Sequence, residues 1–267
     1  MNISGISIGG ISTSIVLKNQ DMVFDIGGAF PSENCSINNL FISHPHGDHI
    51  SGIFCYLGIR DLQGIKNTLK IYILEEYSEE LRNSLNSFRK LSFGEWIYEI
   101  IPINIFDKIL LKNNYIVKVQ RNHHRIPSCA FTVFEKRKKL KSELEGKSAE
   151  EIIKIKSTGF NISDEILYNV LSFSGDTTKN FWELSPEVLE SRILINECTY
   201  YKEEENKGFS RGHTDDKDFL NNIDLFKNEF ILLSHYSGKY NKKEVKNIIK
   251  ENFPIKFSLF EGNLIDI

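Results

Sequence analysis

The chain has 267 residues, 40% of them hydrophobic, enough to bury a sizeable core in a single domain, which we expect to span residues 1–267. A net charge of −3 excludes a protein drawn onto nucleic acid or membrane by its overall charge, so a polyanion would need a local basic patch. The four cysteines (Cys35, Cys55, Cys129, Cys198) form no Cys-x-x-Cys pair, which argues against a zinc knot and a secreted disulfide framework.

The opening stretch Met-Asn-Ile-Ser-Gly-Ile-Ser lacks the basic segment and long apolar run of a signal peptide. No window approaches the ~20 apolar residues of a membrane helix. We therefore expect a cytoplasmic location and no membrane partner. Thr13 to Leu17 and Met22 to Ile26 read as a hairpin pair, followed by a strand from Leu40 to Ser43. Asp48 opens a helical stretch running through Leu57, its acid placed where a helix start favours one. A strand over Leu69 to Leu74 and an amphipathic helix over Glu75 to Lys90 follow, then strands over Tyr115 to Gln120 and Ala130 to Phe134. At about 135–165 the composition turns to Glu-Lys-Arg-Lys-Lys-Leu-Lys and Ser-Ala-Glu-Glu-Ile-Ile-Lys, a charged, partly helical excursion. The basic run Lys136 to Lys141 reads as a solvated face or as a patch for an RNA backbone. The strand–helix rhythm then returns through Tyr168 to Ser174, Phe181 to Leu189, Arg192 to Asn196, Phe230 to Ser234 and a helix over Lys242 to Glu251. This is an α/β pattern of two sheets covered by helices, with sites at strand ends.

The sites are marked by chemistry. Residues 43–49 read Ser-His-Pro-His-Gly-Asp-His directly after an apolar run, so three of the seven histidines and an aspartate share one turn. His44 and His46 can face one point, and Asp48 and His49 a second one nearby. Imidazole and carboxylate suit zinc and similar cations, but such a cluster needs complementary ligands elsewhere. Three strand ends offer them: Asn122-His123-His124, Gly175-Asp176-Thr177 and His235.

His-x-His-x-Asp-His, a distant His, Gly-Asp-Thr and a late His together resemble the metallo-β-lactamase superfamily. Within it, the chain most resembles ribonuclease Z, the tRNA 3′-processing endonuclease. His124-Arg125-Ile126-Pro127, Asn196-Glu197-Cys198-Thr199, Gly212-His213-Thr214 and His235-Tyr236-Ser237-Gly238-Lys239-Tyr240 are similar to that family's further motifs. The resemblance implies a four-layer αββα metallo-β-lactamase sandwich. It implies one divalent ion on His44, His46 and His124, a second on Asp48, His49 and His235, and Asp176 bridging them. The Ile-Pro that follows selects His124 over His123.

It further implies hydrolysis of an RNA phosphodiester, removing a tRNA 3′ trailer by attack of a metal-bridging hydroxide. Asp48 would orient the hydroxide or take its proton. His213, paired with Glu197, would protonate the leaving oxygen, and Lys239, Ser237 and Thr177 would contact substrate. Zinc is the first choice for the two ions, with manganese and iron as alternatives, and a homodimer is in keeping with the family. At Lys239 the family pattern has an arginine, and at Asn196 a histidine. The interval from His124 to Asp176 is short and lacks the Gly-Pro-rich character of the family's RNA-binding arm. That gap motivates a second reading, a hydrolase of a small molecule such as a cyclic nucleotide, ester or lactone; a third reading is a non-catalytic module binding a nucleotide or RNA end.

Overall fold

In the computed structural model, residues 1–28, 34–202, 207–262 and 265–266 are described. The first half runs β1 (Asn2–Gly9), β2 (Ser12–Leu17), β3 (Met22–Phe24), β4 (Asn39–Phe41), α1 (Gly47–Ile50), α2 (Ile53–Leu62), β5 (Leu69–Leu74), α3 (Glu75–Ser92) and β6 (Tyr98–Ile103). The rest runs β7 (Lys108–Leu110), β8 (Tyr115–Arg121), β9 (Cys129–Leu140), α4 (Ala149–Ser157), β10 (Ser163–Phe173), α5 (Asn180–Leu184), β11 (Ile193–Glu197), α6 (Lys207–Ser210) and α7 (Asp216–Asn221). It ends with β12 (Phe230–Ser234), β13 (Tyr236–Ser237), α8 (Lys242–Asn252), β14 (Phe257–Leu259) and β15 (Ile265–Asp266).

Among the described residues these strands form two sheets. One has the order β13-β1-β2-β3-β4-β5-β6, with β15 also on β1; the other has the order β14-β12-β11-β10-β9-β8-β7. Their facing sides bury a shared core in which Phe24 meets Phe41, Phe131 and Phe173 at ring distances of 5.4, 5.6 and 5.7 Å. A second core lies beneath α2 and α3 around Tyr56, Leu57, Leu81 and Leu85. A third lies beneath α5, α7 and α8 around Trp182, Phe219 and Ile248. Three cores between four layers make the α/β/β/α sandwich that the sequence implied.

The expected elements recur with physical adjustments. The helix expected from Asp48 to Leu57 is split into α1 and α2 at Ser51-Gly52. Gly52 allows close packing there, since a Cβ would lie 2.0 Å from Gly28 O. Phe181 to Leu189 is likewise divided, with α5 ending before a 3-10 turn that starts at Pro186. The strand expected at Ala130 to Phe134 continues to Leu140, so the basic run lies on β9 and only the tip of the excursion is helical. β1 was not expected, because its two glycines interrupt the alternation of apolar side chains. Pro102 is accommodated in β6 at the edge of its sheet.

Candidate metal centre

The loops at the C-terminal ends of β4, β8, β10 and β12 carry His44 to His49, His124, Asp176 and His235 to one place. Ligand atoms of His44, His46, His124 and Asp176 all lie within 4.8 Å of one another, as do those of Asp48, His49 and His235. A third such group joins Asp176, His213 and His235. All seven ligands inferred from sequence are thus brought together, in the two sets expected.

The tautomers can be read from the partners. His124 Nδ1 lies 2.8 Å from Gly212 O, a pure acceptor, so Nδ1 carries the proton. His49 Nδ1 is 2.7 Å from the Asp25 carboxylate and is likewise the donor. Ser43 Oγ gives its hydrogen to Asp25 Oδ2 at 2.7 Å, so at 3.0 Å it accepts from His44 Nδ1. Thr199 Oγ1 donates to Glu197 Oε2 at 2.9 Å and accepts from His235 Nδ1 at 2.9 Å. Each of these four imidazoles therefore turns an Nε2 lone pair inward.

Those lone pairs meet other ring nitrogens and a carboxylate oxygen. His44 Nε2 and His124 Nε2 stand 3.0 and 3.3 Å from His46 Nδ1. His49 Nε2 faces His235 Nε2 at 3.3 Å, and each is 3.1 Å from Asp176 Oδ1. That oxygen is buried and has no hydrogen-bond partner. Acceptors packed against acceptors repel unless a cation lies between them. Spacings near 3.3 Å match the edge of a tetrahedron whose centre-to-ligand distance is about 2.0–2.1 Å. The donor set therefore fits bound metal.

The electrostatics agree. Burial pushes His44 well below its ordinary pKa, and burial also lowers His46 and His124, leaving them neutral as ligands must be. Burial alone would raise Asp176, yet His235 and His49 hold it well below the usual carboxylate range. Asp48 is also partly desolvated, but a hydrogen bond with His235 and the charge of His49 keep it low. Burial alone would lower His49, but Asp176 and Asp25 outweigh it and raise it well above the ordinary value, so a proton takes up the Nε2 lone pair wherever a cation does not. Positive charge is what this pocket favours.

Glu197, at the end of β11, is 1% exposed. Its Oε1 accepts from the backbone N–H groups of Thr177 at 3.0 Å and Thr214 at 3.2 Å, and lies 3.0 Å from His213 Nδ1. Burial would lower the pKa of His213, but the charge and hydrogen bond of Glu197 raise it to about 9. The pair expected from sequence is therefore formed, beside the ligands: the His213 ring lies 5.3 Å from that of His124 and 5.4 Å from that of His235.

Lys239 is exposed and Ser237 half-buried near the same mouth, whereas Thr177 is fully buried, with its hydroxyl 3.4 Å from His123 O and 3.2 Å from Thr178 O. Thr177 thus braces the loop that holds Glu197 instead of facing substrate. Asn196, at the position where the family pattern has histidine, accepts from Trp182 Nε1 at 3.2 Å and donates to Glu197 O at 2.8 Å, a role internal to the fold.

Three positioning residues escaped the sequence reading: Asp25, Ser43 and Thr199. Asp25 is fully buried in the left-handed region, φ 57°, and accepts from Ser43 N at 2.7 Å as well as from Ser43 Oγ and His49. An acid closing a buried strand before Gly27-Gly28 was the available signal. Thr199 lay in a quoted motif, but its contacts with both histidines appear only in three dimensions.

A family model described as "Anti-Pycsar protein Apyc1" matches residues 23–253. The chain is 32% identical over 251 residues to tRNase Z TRZ1 of Arabidopsis thaliana, covering 92% of this chain and 89% of that protein. Its fold is similar to the crystal structure of human tRNase Z, short form, with a TM-score of 0.67, 18% identity and coverage of 100% and 99% of the two chains. It is also similar to the metallo-β-lactamase-fold protein YhfI from Bacillus subtilis, with a TM-score of 0.65, 15% identity and coverage of 98% and 96%.

Proposed function

Because the chain belongs to the family described by the anti-Pycsar protein Apyc1 model and to the ribonuclease Z group of metal-dependent, metallo-β-lactamase-fold hydrolases, we propose that it hydrolyses an RNA phosphodiester, removing the 3′ trailer of a tRNA precursor. The observation that carries this reading is the Glu197–His213 pair at 3.0 Å, a carboxylate-held imidazole additional to a complete ligand set. A hydrolase whose leaving group needs no proton has little use for it.

His44, His46 and His124 would hold one ion and Asp48, His49 and His235 a second, with Asp176 between them; the imidazole-rich set favours zinc. Two such ions, when bound, lower the pKa of a shared water and neutralise charge on the phosphoryl oxygens. The protein supplies the remainder. Asp48 Oδ2 is fixed by Gly10 N–H at 2.7 Å and lies 3.2 Å from His235 Nε2, which sets the carboxylate to orient the attacking water or take its proton. His213 has Nδ1 engaged by Glu197, so Nε2 is the atom that gives a proton to the departing 3′-oxygen. The P–O3′ bond breaks, leaving a 3′-hydroxyl on one fragment and a 5′-phosphate on the other. Lys239 contacts a substrate phosphate. A cytoplasmic homodimer completes the proposal, and light scattering checks the stoichiometry.

The test is cleavage of a tRNA precursor by the zinc-loaded protein beside its Asp48→Ala variant. Cutting at the trailer junction, lost in the variant, is the expected result. A second reading, a small cyclic phosphodiester, is favoured by the His124–Asp176 interval, which folds largely as a β9–β10 extension tipped by a short helix. Turnover of a cyclic nucleotide with the precursor left intact would replace the first reading by the second.

A further inference from the structure

Of the seven ligands, His235 is the one whose backbone lies in the left-handed region, φ 59°, at the break between β12 and β13. A residue with a Cβ is disfavoured there and stays only where its surroundings fix it. The break also takes its N–H out of the strand ladder, and at 3% exposure that donor needs another acceptor. Ser7 supplies one: His235 N–H donates to Ser7 Oγ at 3.0 Å.

Ser7 is itself buried on β1. Thr13, also buried, lies directly opposite it on β2, and the two hydroxyl oxygens are 3.2 Å apart. Hydroxyls paired across neighbouring strands steady one another. Two further contacts come from the end of β1 and the turn that follows it. A Cβ at Gly9 would lie 2.9 Å from His235 O and 3.2 Å from its ring, so a bare Cα lets β1 lie close against this residue. Gly10 N–H donates to Asp48 Oδ2 at 2.7 Å. Asp48 and His235 both belong to the second ligand set. In the first set the bracing comes from elsewhere, His44 being held by Ser43 Oγ and His124 by Gly212 O.

We propose that Ser7, steadied by Thr13, is a positioning residue for the second ion. Its hydroxyl holds His235 in the left-handed conformation that delivers Nε2 to the set formed with Asp48 and His49. The inference rests on the two-ion reading and deepens it: the β1–β2 hairpin serves the second ion and not the one on His44, His46 and His124.

The experiment dialyses the full chain against zinc held at graded free concentrations by a chelating buffer, and counts bound zinc by elemental analysis. The native protein is expected to fill two sites. In Ser7→Ala one of them needs about 10- to 100-fold more free zinc while the other is unchanged. Ser7→Thr, which keeps the hydroxyl, recovers most of that loss. Ser14→Ala binds as the native chain does, since Ser14 Oγ, buried in the same hairpin, has no hydrogen-bond partner among the described residues. Two backgrounds identify the ion. With His124→Ala, Ser7→Ala weakens the zinc that remains; with Asp48→Ala it leaves the remaining zinc unchanged. Should Ser7→Ala fail to fold, Thr13→Val carries the same comparison with a smaller loss at the same site. Equal weakening of both ions, a Ser14→Ala loss equal to that of Ser7→Ala, or unaltered binding in Ser7→Ala would each overturn the proposal. A native chain that fills fewer than two sites marks failure of the two-ion reading itself, and the role of Ser7 falls with it.

Discussion

The imidazoles of this centre are set by what lies behind them. Asp25, Ser43, Thr199 and Gly212 each fix one nitrogen and so decide which lone pair faces the cation. Asp25→Asn separates this effect from folding, because asparagine tolerates the left-handed backbone at φ 57° but brings no charge to His49. Zinc affinity is expected to fall about 10- to 100-fold with the circular dichroism unchanged, as measured by competition with a chelating dye. For His213→Ala the outcome depends on the leaving group. The kcat on an RNA diester should fall by about 10² to 10⁴, whereas bis(p-nitrophenyl) phosphate, whose leaving phenolate needs no proton, should lose little. An equal loss on both substrates would remove His213 from the role of acid. The ligands themselves were legible because ligand-type residues cluster in the sequence, at Ser43 to His49 and at strand ends. Asp25 and Thr199 were not, since hydrogen bonds across 24 and 36 positions leave no local mark.

At the scale of elements, the turns matter more than the helices. The Asp25–Gly28 loop lies against the turn that presents Asp48 and His49, and Ile26 N–H donates to His49 O at 2.7 Å. A Cβ at Gly27 would come within 1.6 Å of Asp48 O. Gly27→Ala must therefore push the α1 turn outward. Its expected effects are a lower urea midpoint, by roughly 1–3 kcal/mol of stability, and a lower content of bound metal in elemental analysis. Strand ends and the long helices could be read from periodicity, whereas the break at Ser51-Gly52 depended on backbone contact that no pattern encodes. The basic run illustrates the same limit. In isolation Lys136 to Lys141 reads as a solvated face or an RNA patch; β10 places Glu165 opposite Lys138 and Asp164 opposite Lys139, and Lys136 Nζ lies 3.3 Å from Glu165. Opposite charges paired across strands stabilise the extension and reduce its field.

For the molecule as a whole, the two sheets meet at the metal ligands, so occupancy and stability are linked. A ligand held only by the native state, at about 100 times its Kd, contributes about 2.7 kcal/mol. At about 2–4 °C per kcal/mol for a domain of this size, chelation should lower Tm by about 5–10 °C, and added zinc should restore it. A melting temperature indifferent to chelator would contradict a resident metal. The overall architecture was legible because an alternating strand–helix pattern with ligands at strand ends permits few arrangements. The pairing of β1 with both β13 and β15 was not, because it joins residues from opposite ends of the numbering.

That last feature bears on how the protein is made. His49 and His235 face one another at 3.3 Å across 186 positions, and the strand following His235 seals against β1. During synthesis, the cluster at residues 44–49 leaves the ribosome long before its partners exist. An unfinished chain carries only part of the centre. Hydrolytic capacity thus waits for the late strands, since a chain interrupted before His235 lacks the imidazole that faces His49.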